Sequence, residues 1–192
     1  MSEQTARNED TWFNGVNVTQ LGNTIDLVRS NSEIAKFRFR TSNKWITGGH
    51  NRSTIKDFYG ACQEDTSRKE AFVLDSDEPV VLHGEDRGAN PVEYVLHALA
   101  GCMTTTMVYK AALHGIKIYE IESELEGDID LRGMLELADD VRNGFQNIRV
   151  NFKVKAEGGD KKSKLLEALA KGSPVFDIVT NSVPVTISVE SK

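Results

Sequence analysis

The chain has 192 residues and only two cysteines, Cys62 and Cys102. Two thiols do not make a disulfide scaffold, and the expectation is a pair of reduced thiols in a cytoplasmic protein. A basic surplus is also missing. The formal net charge is -6, which argues against a nucleic-acid partner, since such a surface is rich in lysine and arginine. The opening stretch from Met1 to Trp12 has no apolar core, so it does not read as a secretory signal. The longest apolar stretch surrounds Cys102 and is broken by Glu93, His97 and Lys110, which argues against a membrane span. There is no internal repeat and no low-complexity tract. The four histidines, His50, His83, His97 and His114, have no paired metal-ligand spacing, and neither a phosphate loop nor a serine nucleophile elbow is present. No cofactor or metal is therefore expected.

What is present fits one globular domain with an extension. Hydrophobic residues make up 39% and charged residues 27%, enough of the former for a sizeable core. Met1 to about Thr11 is polar and reads as a disordered tail. Val18, Leu21, Ile25 and Val28 recur at helical spacing, with Asn17 and Gln20 placed to close a capping box. Residues 1–36 are thus read as a tail and an amphipathic helix, and residues 37–192 as the main domain. Phe37 to Thr41 alternates apolar and basic residues and predicts a strand. Further short strands are expected at Trp45 to Thr47, Thr54 to Tyr59, Ala71 to Leu74 and Val80 to Leu82. Gly48 to Arg52 reads as a turn, and His83 to Ala89 as a polar loop.

The central element is a helix. Asn90 is a favourable N-cap, Pro91 suits the first helical position, and Glu93 stands where a capping box needs its acid. The pattern continues to His114, and Gly115 is a natural stop. That gives about 24 residues, or about 36 Å. Its middle, Val95 to Val108, is apolar or small on every face, the pattern of a helix buried all round. Beyond it, Ile116 to Leu131 and the strictly alternating Ile148, Val150, Phe152 and Val154 predict two long strands, with Asp128 and Asp130 on the wet face and an irregular connection between. Lys161 to Lys171 predicts a short helix. Ser173 and Pro174 read as the N-cap and first residue of another, and Val183 to Val189 as a closing strand. Strands are clustered rather than alternating one-for-one with helices, so the class is α+β.

Cys102 lies in the middle of the long helix. From the residue alone, a small core side chain is the plain reading. The middle of a helix gives a thiol little help from the dipole, so reactivity needs an Arg, Lys or His brought in from elsewhere. Asn90-Pro91-Val92-Glu93-Tyr94-Val95-Leu96-His97-Ala98-Leu99-Ala100-Gly101-Cys102 resembles the OsmC/Ohr family, in which an Asn-Pro and an acid open the central helix and a cysteine follows at this distance. The order of elements resembles it too, from about Phe37 to Val189, with the N-terminal helix as an addition.

The resemblance implies antiparallel sheets around a long buried helix, an intertwined homodimer, and reduction of organic or small peroxides by the helix thiol. Residue by residue, Cys102 matches the peroxide-attacking cysteine and Glu93 the helix-opening acid, although the acid directly follows the proline in Ohr-like members, where this chain has Val92. Glu93 also reads as a plain capping-box acid. Thr47-Gly48-Gly49-His50 is similar to the turn that carries the family's activating Arg. Here His50 takes that place and Arg52 follows, and either could serve. Ser173 stands at the Cys-Pro position of the family's second cysteine. With a serine there, an external thiol reductant is implied unless Cys62, in a turn outside the motif, pairs with Cys102. The alternative is a non-catalytic small-molecule-binding or structural dimer in which Cys102 only packs.

Overall fold

The computed structural model describes residues 10–191. The predicted polar tail lies outside them except for Asp10 and Thr11, and Thr11 is held in place: its N–H donates to Thr19 Oγ1 at 3.0 Å and its carbonyl accepts from the Val18 N–H at 2.8 Å. The chain divides into two compact units, with the boundary after Val95, and each is described by itself.

The first unit opens with a small hairpin, β1 (Trp12–Phe13) and β2 (Val16–Asn17), that feeds helix α1 (Val18–Ser30). Asn17 caps α1 as expected, its Oδ1 accepting from the Gln20 N–H at 2.9 Å. The Gln20 side chain donates to Asp10 instead of closing the box. A three-stranded antiparallel sheet follows in the order β3 (Ser42–Thr47), β4 (His50–Ile55), β7 (Phe72–Ser76). Between β4 and β7 the chain makes a second hairpin, β5 (Phe58–Gly60) and β6 (Gln63–Asp65). The unit ends with the first turn of helix α2 (Pro91–Leu113).

Three expectations are corrected in this unit. The turn is only Gly48–Gly49, so His50 and Arg52 lie on strand β4. Phe37 to Thr41 is not a strand: only Arg38 bridges to Tyr59. Its phenylalanines stack instead, Phe37 on Phe39 at 5.9 Å and Phe39 on Phe58 at 5.5 Å between ring centres. A ladder needs a run of paired backbone groups, and here only Arg38 and Tyr59 exchange them, at 2.8 and 3.1 Å. Val80–Leu82 is a 3-10 turn rather than a strand, with His83 in the left-handed region behind it.

The second unit contains the remainder of α2, then β8 (Ile118–Ile129), the short helix α3 (Leu131–Met134), β9 (Phe145–Ala156), α4 (Ser163–Ala170) and α5 (Pro174–Thr180). Strands β8 and β9 form a long antiparallel ribbon. Its period of two separates the faces. Ile121, Leu125, Ile148, Val150, Phe152 and Val154 pack on the core, while Glu124, Glu126 and Asp128 pair with Lys153 and Arg149 in water. Asp130 caps α3, its side chain accepting from the Arg132 N–H, so the connection expected to be irregular contains one ordered turn.

Helix α2 stops as its sequence predicts. Gly115 takes a φ of +63°, and the Gly115 and Ile116 N–H groups return to the Ala112 and Ala111 carbonyls at 3.1 and 2.9 Å. This paired arrangement satisfies the last carbonyls and turns Ile116 into the core. Leu99, Met103, Met107 and Ala111, four residues apart, form the buried stripe of the helix, and Met107 keeps only 1% of its surface exposed. Each of the larger three contributes about 1.5–3 kcal/mol by leaving water. The expected all-round burial is not met within one chain, because Gly101, Thr105 and Tyr109 are exposed. The expected closing strand is also missing: Val183 to Val189 forms no ladder, and Val189 is 91% exposed. Alternation makes a strand only where an edge is at hand to pair with.

The β5–β6 hairpin has a turn of two residues, Ala61 and Cys62, with φ +48° and +64°. Side chains at such angles meet their own backbone, and asparagine or glycine is the usual occupant. Cys62 is exposed, so replacing it costs no packing. Cys62→Gly is expected to raise stability by up to about 1 kcal/mol, read as a higher urea midpoint at unchanged slope.

Candidate functional site

The chemistry-bearing residues fall into three groups. The first is on β4 and β7. Antiparallel register sets Arg52 opposite Asp75, and the guanidinium grips that carboxylate with Nε at 2.9 Å and Nη2 at 3.1 Å. His50, two residues earlier on β4, places Nε2 at 2.9 Å from the same Asp75 Oδ1. A carboxylate only accepts, so the imidazole carries a hydrogen on Nε2. His50 is buried, with 7% of its surface exposed, and its Nδ1 has no partner among the described residues. The Arg52 fork, then the His50 ring, hold the Asp75 carboxyl below its usual range. Two residues on, Asp77 is buried and accepts the N–H groups of Glu78, Glu85 and Arg87. Burial pushes its carboxyl up, but the three N–H groups outweigh that and hold it low. Asp77 thus pins the loop that leads to α2, and a side chain on Gly49 would come within 3.1 Å of it.

The second group is the opening of α2. The Glu93 carboxylate accepts the Asn90 N–H at 2.9 Å, and Asn90 Oδ1 accepts the Val92 N–H at 2.9 Å. That is a closed capping box. The carboxylate partner of Arg52 is Asp75, not Glu93. Tyr94, one residue further, donates its hydroxyl to the Asp75 carbonyl at 2.7 Å, which ties the first turn of α2 to β7.

The third group belongs to the second unit. Cys102 is half-buried on α2 and unpaired. It stands one residue before the buried Met103 and one after the exposed Gly101, at the margin of the stripe. Ser173 is almost fully buried, with 1% exposed, and its Oγ accepts the Phe176 N–H at 3.2 Å, so it is the N-cap of α5. Cys62 is on the β5–β6 turn in the first unit. A groove of about 620 Å³ runs along the second unit between Met103 and Met107, the inner face of β9 at Val150 and Phe152, and Leu166 and Phe176. Cys102 does not line it. Among the described residues, no three His, Cys, Asp or Glu side chains are grouped to hold a metal ion, and no helix is long and apolar enough to cross a membrane.

Sequence reasoning named Cys102, Glu93, Arg52 and His50. It missed Asp75, the residue that gathers two of them, and Tyr94. Asp75 is 23 residues from Arg52, beyond an inserted hairpin, and only strand register brings them together.

The sequence profile of the OsmC-like protein family matches residues 84–188, just over half of the chain. The chain belongs to the OsmC-like protein family. The matched segment of this OsmC-like chain contains Glu93, Cys102 and Ser173 and begins after His50, Arg52 and Cys62. An OsmC-like protein from Mycoplasma pneumoniae has a similar structure, with a TM-score of 0.56 at 14% identity over 76% of this chain and 89% of that one. A Psychrobacter arcticus protein assigned to the osmotic-stress and detoxification response gives 0.52 at 18% identity over 70% and 83%. At such identities the likeness is one of fold, and the fold is the OsmC-like α+β arrangement with antiparallel sheets. No curated protein matches the sequence.

Proposed function

We propose that this OsmC-like protein reduces organic or small peroxides, with Cys102 as the attacking thiol and an external thiol as reductant. The Cys102 sulfur attacks the terminal peroxide oxygen, the O–O bond breaks, an alcohol or water leaves, and a sulfenic acid remains. A small thiol then attacks that sulfur and expels water as a mixed disulfide forms. A second thiol releases the small-molecule disulfide and restores Cys102. In this reading the positive charge that readies the thiol comes from Arg52 or His50, both held by Asp75, while Glu93 is the acid that opens the helix. Residues 37–192 form the OsmC-like domain, and α1 is an addition to it.

The observation that carries this reading is a half-buried, unpaired Cys102 within the family-matched segment, and by resemblance Ser173 stands where the family has its second cysteine. Ser173 Oγ is engaged as a helix cap and cannot make a disulfide, which is why the electrons are assigned to an external thiol. The same cap also favours a second reading, a non-catalytic OsmC-like binding or structural dimer in which Cys102 only packs. Repeated turnover separates the two. Excess cumene hydroperoxide is expected to be consumed only with a small thiol present and to inactivate the protein without one, since an unpartnered sulfenic acid oxidises further. Cys62→Ser should turn over like the wild type, and Cys102→Ser should consume nothing above background. Equal consumption by Cys102→Ser would leave the second reading.

We infer also that two copies associate. Support comes from the faces of α2 that one chain leaves open and from the exposed alternating segment at Val183 to Val189. An interface larger than the standard of about 1,600 Å² is expected. Sedimentation velocity at micromolar concentration should show a dimer, and a monomer there would refute the inference.

A further inference from the structure

The outer row of the β3–β4–β7 sheet has a feature that the thiol reading does not use. Register places Lys44 of β3 directly opposite Arg52 of β4, and Arg52 opposite Asp75 of β7. Like charges facing each other across strands are destabilising. Asp75 answers Arg52 with a two-pronged pair. Lys44 has no carboxylate within ion-pair distance among the described residues. Counted by formal charge, the row from Lys44 through Arg52 to Asp75 carries +1 within a chain whose net charge is -6.

These cations line a depression of about 340 Å³ together with Ser42, Ile46 and Thr54. Ser42 pairs with Thr54 two register positions away, on the same face of the sheet, so two hydroxyls stand beside the two cations on one face. The neighbouring Thr41 hydroxyl donates to the Ser42 and Thr54 backbone carbonyls, at 3.4 and 3.3 Å, and leaves their own hydroxyls unengaged among the described residues. The guanidinium has five N–H groups, and Asp75 takes two of them, through Nε and Nη2. The remainder, including both on Nη1, are left for another acceptor, and the Arg52 side chain is 49% exposed. Since Asp75 already fixes the fork, little order is lost when Arg52 binds something further.

We propose that this depression binds the phosphate group of a small phosphorylated molecule. The Lys44 ammonium, the outer edge of the Arg52 guanidinium and the Ser42 and Thr54 hydroxyls supply four donors of the kinds that hold phosphate oxygens. A carboxylate has only two oxygens to offer them. The volume exceeds one phosphate group, and Ile46 gives the organic remainder an apolar wall. An anion between Lys44 and Arg52 also removes their repulsion, so the unfavourable register becomes the reason for the site. The thiol reading uses Arg52 as a charge, whereas this inference needs it only as a donor and stands or falls without Cys102.

Calorimetric titration of the full-length chain tests the assignment, in the wild type and in Cys102→Ser, with inorganic phosphate and with glycerol 3-phosphate. Both proteins should bind glycerol 3-phosphate once per chain and more tightly than inorganic phosphate, and affinity should fall as salt rises. Lys44→Gln should weaken binding about tenfold or more, and Thr54→Val should weaken it less. In phosphate-free buffer Lys44→Gln should melt higher than the wild type, a sign that marks Lys44 as kept for binding rather than for stability. Absence of saturable binding, or an affinity unchanged in Lys44→Gln, would overturn the proposal. So would association with phosphatidylglycerol vesicles without any binding of glycerol 3-phosphate, which would assign the row to a lipid surface.

Discussion

The packing of one helical stripe against one ribbon organises the second unit. Leu99, Met103, Met107 and Ala111 repeat every four residues on α2 and meet the alternate residues of β8 and β9, with Leu166, Leu169 and Ala170 of α4 closing the same core. Two periods, four along the helix and two along the strands, put the apolar side chains of both elements on facing surfaces. Cys102 owes its half-buried setting to this arrangement, being the residue before Met103. Packing so regular also sets a limit. It uses one side of α2, while the composition of the helix is apolar or small on every side. The mismatch between what the sequence offers and what a single chain covers is the physical ground for proposing that two copies associate.

Where a structural decision is local, the sequence displays it. Asn90, Pro91 and Glu93 announce the start of α2 and form the bonds that their spacing implies, and Gly115 ends it in the left-handed conformation that glycine tolerates. Asn17 and Ser173 are caps for the same reason. The long alternation of β9 was equally legible, because its apolar face and its wet face are both satisfied within reach of β8 and α2. The failures share a cause. Val183 to Val189 alternates as cleanly as β9, but a strand is a relation between two segments, and no edge in the described chain pairs with it. Phe37 to Thr41 alternates too, yet its backbone finds a partner only at the Arg38–Tyr59 bridge. The site shows the same division. Cys102 and Glu93 are legible because both stand at fixed distances from a helix start. Asp75 is illegible because its partners come from another strand, across a hairpin whose length nothing in the local sequence constrains.

Asp75 changes the chemical meaning of two residues that the family resemblance singled out. His50 and Arg52 both rest on a single carboxylate, so the register of β7 against β4 fixes the placing of both. Ser173 illustrates a different economy. At the position where the family resemblance sets a second cysteine, the chain has a hydroxyl that caps α5 by accepting the Phe176 N–H. The fold is therefore kept whether or not the chemistry is, and membership in the OsmC-like family does not by itself decide between an enzyme and a binding protein. The decision rests on what the Cys102 sulfur does when it meets a peroxide.

Intact-mass spectrometry after one equivalent of cumene hydroperoxide answers that most directly, with peptide mapping to place the change. The account predicts a gain of one oxygen on Cys102, preserved in Cys62→Ser and absent in Cys102→Ser. A Cys62–Cys102 disulfide would contradict the assignment of the electrons to an external thiol, and an unchanged mass would contradict the thiol reading altogether.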